Sequence, residues 1–245
     1  MQKIILQHAT PDLFSVKTIQ EFYAQFPHEA VDPRTDDSIE SALEERNVFI
    51  FSDSNRQMKG VVMTYTGHHT NNGEYAELGG NRIVPELHGF GLLTFEHYIR
   101  ILSEIIKRIE MNRSIDELIF NVDTLSYLVQ TGPKLRQLGF THVPRTDTHH
   151  YPHIKNPYEQ EASIYFVMTL DLLRRQISSY AKDFLQRIAK LAYQGDDLEG
   201  HWILLNHRAR EESIAMKLEL DILSDDSKLQ ILNQLAQDGL PFQKQ

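Results

Sequence analysis

The chain has 245 residues, a formal net charge of -9, 41% hydrophobic residues and no cysteine. That composition suits one large globular domain or a domain with a smaller companion, and it excludes disulfide scaffolds, thiolate zinc sites and thiol nucleophiles. The acidic balance without a long basic run argues against a nucleic-acid backbone as main partner, and no apolar run approaches the ~18 residues of a membrane span.

Lys3 to Gln7 reads as a short strand, and the apolar stretch from Met1 to His8 is too short for a signal peptide. A cytoplasmic, membrane-free protein is therefore the expectation. Thr10-Pro11-Asp12 reads as a helix start, since Thr10 can cap and Pro11 needs no amide hydrogen there. Leu13, Val16, Ile19, Tyr23 and Phe26 keep helical spacing up to Pro27. Asp36-Asp37-Ser38 opens a second helix through Glu45. Residues 48 to 66 read as a hairpin, with turn chemistry at Asp53 to Gln57. Glu74 to Val84 is the next strand, and Gly79-Gly80 inside it predicts a bulge or a close backbone approach.

Leu92, Phe95, Ile99, Leu102, Ile106 and Ile109 predict a long helix to about Met111. A buried-type strand follows at 118 to 122. Ser126 to Leu138 reads as a helix that Gly132-Pro133 must break or restart. Phe140 to Val143 begins another strand. Residues 144 to 162, with His149, His150 and His153, read as a long polar loop rather than a metal site. Such a loop could cover an acceptor pocket. Ser163 to Leu170 is the last predicted strand. Beyond it the apolar spacing is helical throughout: one helix from about Leu173 to Leu191, then helices near 200–223 and 226–238. Their stripes suit a core first and a second copy or a partner next. The chain thus divides into a mixed α/β (α+β) unit over 1–170 and an all-helical extension over 171–245.

The segment richest in chemistry is Asn81-Arg82-Ile83-Val84-Pro85-Glu86-Leu87-His88-Gly89-Phe90-Gly91-Leu92-Leu93. It is a strand, a glycine-containing turn and then a long helix. The glycines let the backbone approach a ligand, and amides of the first helical turn suit a diphosphate. Ile83-Val84-Pro85 and His88-Gly89-Phe90-Gly91-Leu92-Leu93 resemble motif A of the GNAT superfamily of N-acyltransferases. His88 stands where that family has Arg or Gln, and Leu93 where it has a small residue. Leu135-Arg136-Gln137-Leu138-Gly139-Phe140 resembles motif B, with Leu135 where the family often has an acid-donating Tyr.

The resemblance implies a mostly antiparallel sheet with flanking helices, split between its fourth and fifth strands. Acetyl-CoA would lie in that split. Its pantetheine would pair with the fourth strand near Ile83, and its diphosphate would rest on residues 88–93. The implied reaction is direct attack by a primary amine of a small molecule or a protein. Glu77 is then the candidate proton acceptor and Tyr127 the candidate proton donor to the thiolate. The departures at His88, Leu93 and Leu135 equally fit a catalytically silent acyl-CoA-binding or protein-interaction module on the same fold.

Overall fold

The computed structural model describes residues 2–27, 35–68, 73–116, 118–125, 131–143, 163–192, 201–203, 212 and 214–240. The strands are β1 (Gln2–His8), β2 (Val48–Asp53), β3 (Met58–His68), β4 (Glu74–Ile83), β5 (Leu118–Leu125), β6 (Thr141–Val143), β7 (Ser163–Met168), β8 (His201–Ile203) and β9 (Ile214–Glu219). The α-helices are α1 (Val16–Gln25), α2 (Asp36–Glu44), α3 (Leu92–Glu110), α4 (Thr131–Gln137), α5 (Leu170–Ala192), α6 (Asp221–Ser224) and α7 (Asp226–Asp238). The strands form one sheet in the order β6-β7-β5-β4-β3-β2-β1-β9-β8. Among the described strands, β4–β5 and β1–β9 run parallel and the other neighbours are antiparallel. The expected mixed, mostly antiparallel sheet with flanking helices is present. No helix among the described residues is long and apolar enough to cross a membrane.

Local chemistry accounts for several boundaries. Helix α1 starts later than Thr10, because the Ser15 side chain accepts from the Thr18 amide at 3.2 Å and caps the helix there. Thr35 caps α2 in the same way. In the β2–β3 turn, the Asp53 carboxylate accepts from the amides of Asn55 and Gln57. The described part of α4 runs from Thr131 through Pro133 to Gln137, and residues 126–130, where the expected helix began, lie outside the described residues.

The all-helical extension needs correction. Helices α5, α6 and α7 are present, but residues 201–203 and 214–219 are strands. Strand β9 pairs in parallel with β1 from Gln2↔Ile214 to Gln7↔Glu219. Ile214-Ala215-Met216-Lys217-Leu218-Glu219 is rich in helix formers, so its propensity points the wrong way. Its alternation, with Met216 and Leu218 buried and Lys217 and Glu219 half-buried, fits a strand, and the open edge of β1 decides the outcome. Arg56, in the β2–β3 turn, clamps the new rung by reaching Gln7 at 2.5 Å and Glu219 at 3.0 Å. One hydrophobic core runs from Ile4 and Leu6 through Phe120 to Met216 and Leu232.

Helix α3 is buried on more than its apolar stripe. Glu96, Arg100, Glu104 and Arg108 repeat at four-residue spacing and are all at most 3% exposed. Arg100 reaches Glu96 and Asn81 at 2.7 Å, Thr64 and the Gly79 carbonyl at 3.2 Å, and the Met63 carbonyl. Arg108 binds Glu104 at 2.7 Å and pairs with Glu74 at the start of β4. The row therefore fastens α3 along the length of β4. Burial opposes ionisation of Glu96, but the charges of Arg100 and His97 and their hydrogen bonds outweigh it, holding the carboxyl below its ordinary range.

A second polar cluster joins the C-terminal segment to β1. Asp221 lies 2.8 Å from His8 and 2.7 Å from Lys228. Burial would raise its pKa; hydrogen bonding and charge from His8, then from Lys228, drive it far below the ordinary range instead.

Two outcomes follow from these clusters. Arg100→Met strands a buried Glu96 and is expected to cost about 3–5 kcal/mol in urea unfolding. A depressed carboxylate stabilises above its unfolded pKa of about 3.9 and loses that contribution as pH falls. Asp221→Asn is therefore expected to lower stability at neutral pH, with the deficit shrinking toward about pH 2 in an acid titration followed by circular dichroism.

Candidate active site

The site begins where two parallel strands part. Strands β4 and β5 are in register from Glu74↔Leu118 to Glu77↔Asn121, and no further. Strand β4 continues to Ile83 and stays paired with β3, while β5 continues to Leu125 and stays paired with β7. A wedge therefore opens after the Glu77 rung.

A bulge bends β4 at that point. Met63 pairs with Gly79 and Val61 with Arg82, so one residue of β3 faces two of β4. Gly80 takes φ 64, a left-handed backbone that a side chain resists. A Cβ there would also lie 3.0 Å from the Tyr23 hydroxyl and 3.1 Å from that of Tyr65. Tyr23 donates its hydroxyl hydrogen to the Gly80 carbonyl at 2.5 Å. The bulge is thus pinned by α1 on one face of the sheet and by Arg100 of α3 on the other.

Beyond β4 the chain makes a short 3-10 turn at Pro85–Leu87, and Gly89 and Gly91 take φ 86 and 79. Gly91 is the N-cap of α3, and no side chain caps that helix. Its first intrahelical bond runs from the Phe95 amide to the Gly91 carbonyl at 3.2 Å. The amides of Leu92, Leu93 and Thr94 therefore have no acceptor within the helix, and the helix dipole lies behind them. An anion fits there by geometry and charge.

The expected site residues distribute unevenly over this frame. Glu77 is half-buried on the last shared rung, on one face with Tyr65 across β3 and Asn121 across β5. Burial first, and the Glu77 charge second, raise the Tyr75 pKa. Ile83 ends β4, and its carbonyl lies 3.0 Å from Nε2 of the exposed His88. Phe90 is 1% exposed and Leu92 3%, so their side chains belong to the core and only their main chain can serve a ligand. Leu135 is likewise buried. Tyr127 and the histidine-rich stretch 144–162 lie outside the described residues.

Sequence reading missed Arg82, which is 6% exposed, and Asn121, which is 4% exposed. It also missed the Glu96–Arg108 row, although the spacing Glu-x3-Arg-x3-Glu-x3-Arg was visible. Burial lowers the pKa of Arg82, while nearby Tyr23 opposes that shift. A separate cavity of about 190 Å³, lined by Ile109, Arg113, Asp116 and Arg174, lies at the far end of α3, remote from the wedge.

No family model and no curated protein matches the sequence. Solved structures do. The chain is similar to one in the NatC complex bound to Gag peptide and CoA, with TM-score 0.50 and 12% identity over 69% of this chain and 99% of that one. The fold is that of the GNAT N-acyltransferases. A GNAT-family acetyltransferase from Listeria monocytogenes 4b gives TM-score 0.46 and 13% identity over 68% of this chain and 95% of that one. Arabidopsis thaliana Naa50, in complex with a bisubstrate analogue, gives TM-score 0.46 and 9% identity over 68% and 99%. The β4–β5 wedge lies where the split between the fourth and fifth strands was expected.

Gly80→Ala is expected to cost about 1–2 kcal/mol from the left-handed backbone alone, plus the crowding against Tyr23 and Tyr65. Urea unfolding measures it.

Proposed function

We propose that the chain is an acyl-CoA-dependent N-acyltransferase, with acetyl the acyl group to test first and a primary amine as acceptor. The observation that carries this reading is the register of β4 and β5, which stops at Glu77↔Asn121 and leaves a wedge. The residues fit the co-substrate. The α3 amides at Leu92–Thr94 suit its diphosphate, and the free end of β4 toward Ile83 suits its amide-bearing arm. The NatC chain of similar fold was solved with CoA and a peptide, which supports the same assignment here.

Bound there, a thioester supplies an activated carbonyl. The amine nitrogen bonds to the acyl carbon, the carbon–sulfur bond breaks, and the amine proton passes to Glu77 directly or through water. The thiolate leaves, and Tyr127 is kept as its proton donor. Much of the rate in this scheme comes from holding amine and carbonyl together. In this scheme residues 1–170 carry the reaction, while β9 and β8 extend the sheet beyond β1.

One contact favours the second reading, a binding module without turnover. His88 occupies the Ile83 carbonyl, an acceptor the arm of CoA would need. The two readings separate by experiment. Calorimetry with acetyl-CoA tests binding, and thiol release with a panel of amines tests turnover. Glu77→Gln is expected to lower kcat by roughly 10²–10⁴ while the acetyl-CoA Kd stays unchanged. An unchanged kcat removes Glu77 from the chemistry.

A further inference from the structure

The sheet face that carries Glu77 holds two buried polar groups without partners among the described residues. The side-chain oxygen of buried Asn121 accepts no hydrogen bond. The Nε of buried Arg82 donates none. Both lie beside the wedge. Asn121 sits opposite Glu77 on the last β4–β5 rung. Arg82 follows the bulge on the same strand, two residues beyond Gly80, whose Cβ direction points at Tyr23 and Tyr65.

The arrangement is costly unless something complements it. A guanidinium stays protonated at neutral pH, and burying its Nε donor without an acceptor is unfavourable. The same holds, more weakly, for an orphaned carbonyl oxygen. Arg100, also buried, spends its donors on Glu96, Asn81 and two main-chain carbonyls. Arg82 has no comparable set, although it lies on the neighbouring stretch of β4. The unmet acceptor is next to the candidate proton acceptor, and the unmet donor is further along the strand.

We infer that the acceptor substrate carries an amine and, several bonds away, a carboxylate, with the amine donating to Asn121 beside Glu77 and the carboxylate bound by Arg82. This rests on the acyltransferase reading of the wedge. Glu77 and Arg82 pair with Tyr65 and Val61 of β3, so about 13 Å of sheet separates them before side chains reach inward. An α-amino acid is too short for that span. An ω-amino acid, or a peptide whose carboxylate is many bonds from its amine, reaches farther along it. The diphosphate of CoA is served separately by the N-terminus of α3, which packs on the other face of the sheet with Arg100. Arg82 is thereby a specificity residue, and a planar guanidinium suits a carboxylate in bidentate fashion.

The test compares ε-aminocaproate with its uncharged amide, ε-aminocaproamide, by calorimetry on the full chain. Wild type is expected to bind the carboxylate at least tenfold more tightly than the amide. In Arg82→Gln the preference disappears, acetyl-CoA affinity is unchanged, and the melting temperature is equal or higher, because a buried Nε donor without an acceptor has been removed. No preference in wild type overturns the inference, whether or not the variant folds. Loss of acetyl-CoA affinity in Arg82→Gln with the preference intact assigns the cation to the co-substrate and overturns it too. A marked fall in melting temperature with the preference intact makes Arg82 structural, and the inference fails in that case as well. Absence of acetyl-CoA binding in wild type refutes the acyltransferase reading separately, since the two amine probes are compared without it.

Discussion

The Arg100 guanidinium holds the two halves of the site together. It projects from α3 into the underside of the bulge and binds the Gly79 and Met63 carbonyls, Asn81 and Thr64. A bulge leaves main-chain groups without ladder partners. On this face the arginine supplies the missing donors, and Glu96, one turn earlier on the helix, supplies the counter-charge. Remove that set and three things loosen together: the kink in β4, the seating of α3, and the separation of β4 from β5.

Helix α3 then acts as a rigid bar. Its C-terminal half is tied to the beginning of β4 through Arg108 and Glu74, and its middle is tied to the bulge through Arg100. Its N-terminus therefore has a fixed position relative to the wedge, so the amides of Leu92–Thr94 and the carboxylate of Glu77 are placed by the same element. Electrostatics and geometry cooperate here. The buried charges are matched within the row, and the first turn at Leu92 holds no acidic residue to offset the helix dipole.

Much of this frame was legible in the sequence. The glycine pair in β4 announced the bulge, the apolar stripe from Leu92 to Ile109 announced α3, and Gly89-Phe90-Gly91 announced the turn between them. What escaped detection depends on contacts between distant segments. Strand β9 is made of helix-favouring residues and becomes a strand because β1 offers unpaired backbone groups. Arg82 and Asn121 look like ordinary polar strand residues until the fold buries them, since alternation along one strand does not say how deeply its faces are covered. The Glu96–Arg108 row escaped because charge spacing of four is the same pattern on a surface as in an interior.

The parallel pairing of β1 with β9 also orders events during synthesis. Gln2 meets Ile214, so β1 leaves the ribosome long before its partner and waits for it. Until then the outer rim of β1, with its apolar Ile4 and Leu6, is an unprotected template for any extended chain nearby. Completion of the sheet is a high-contact-order step and correspondingly slow. A nascent chain stalled before residue 214 would leave the β1 edge without its β9 partner.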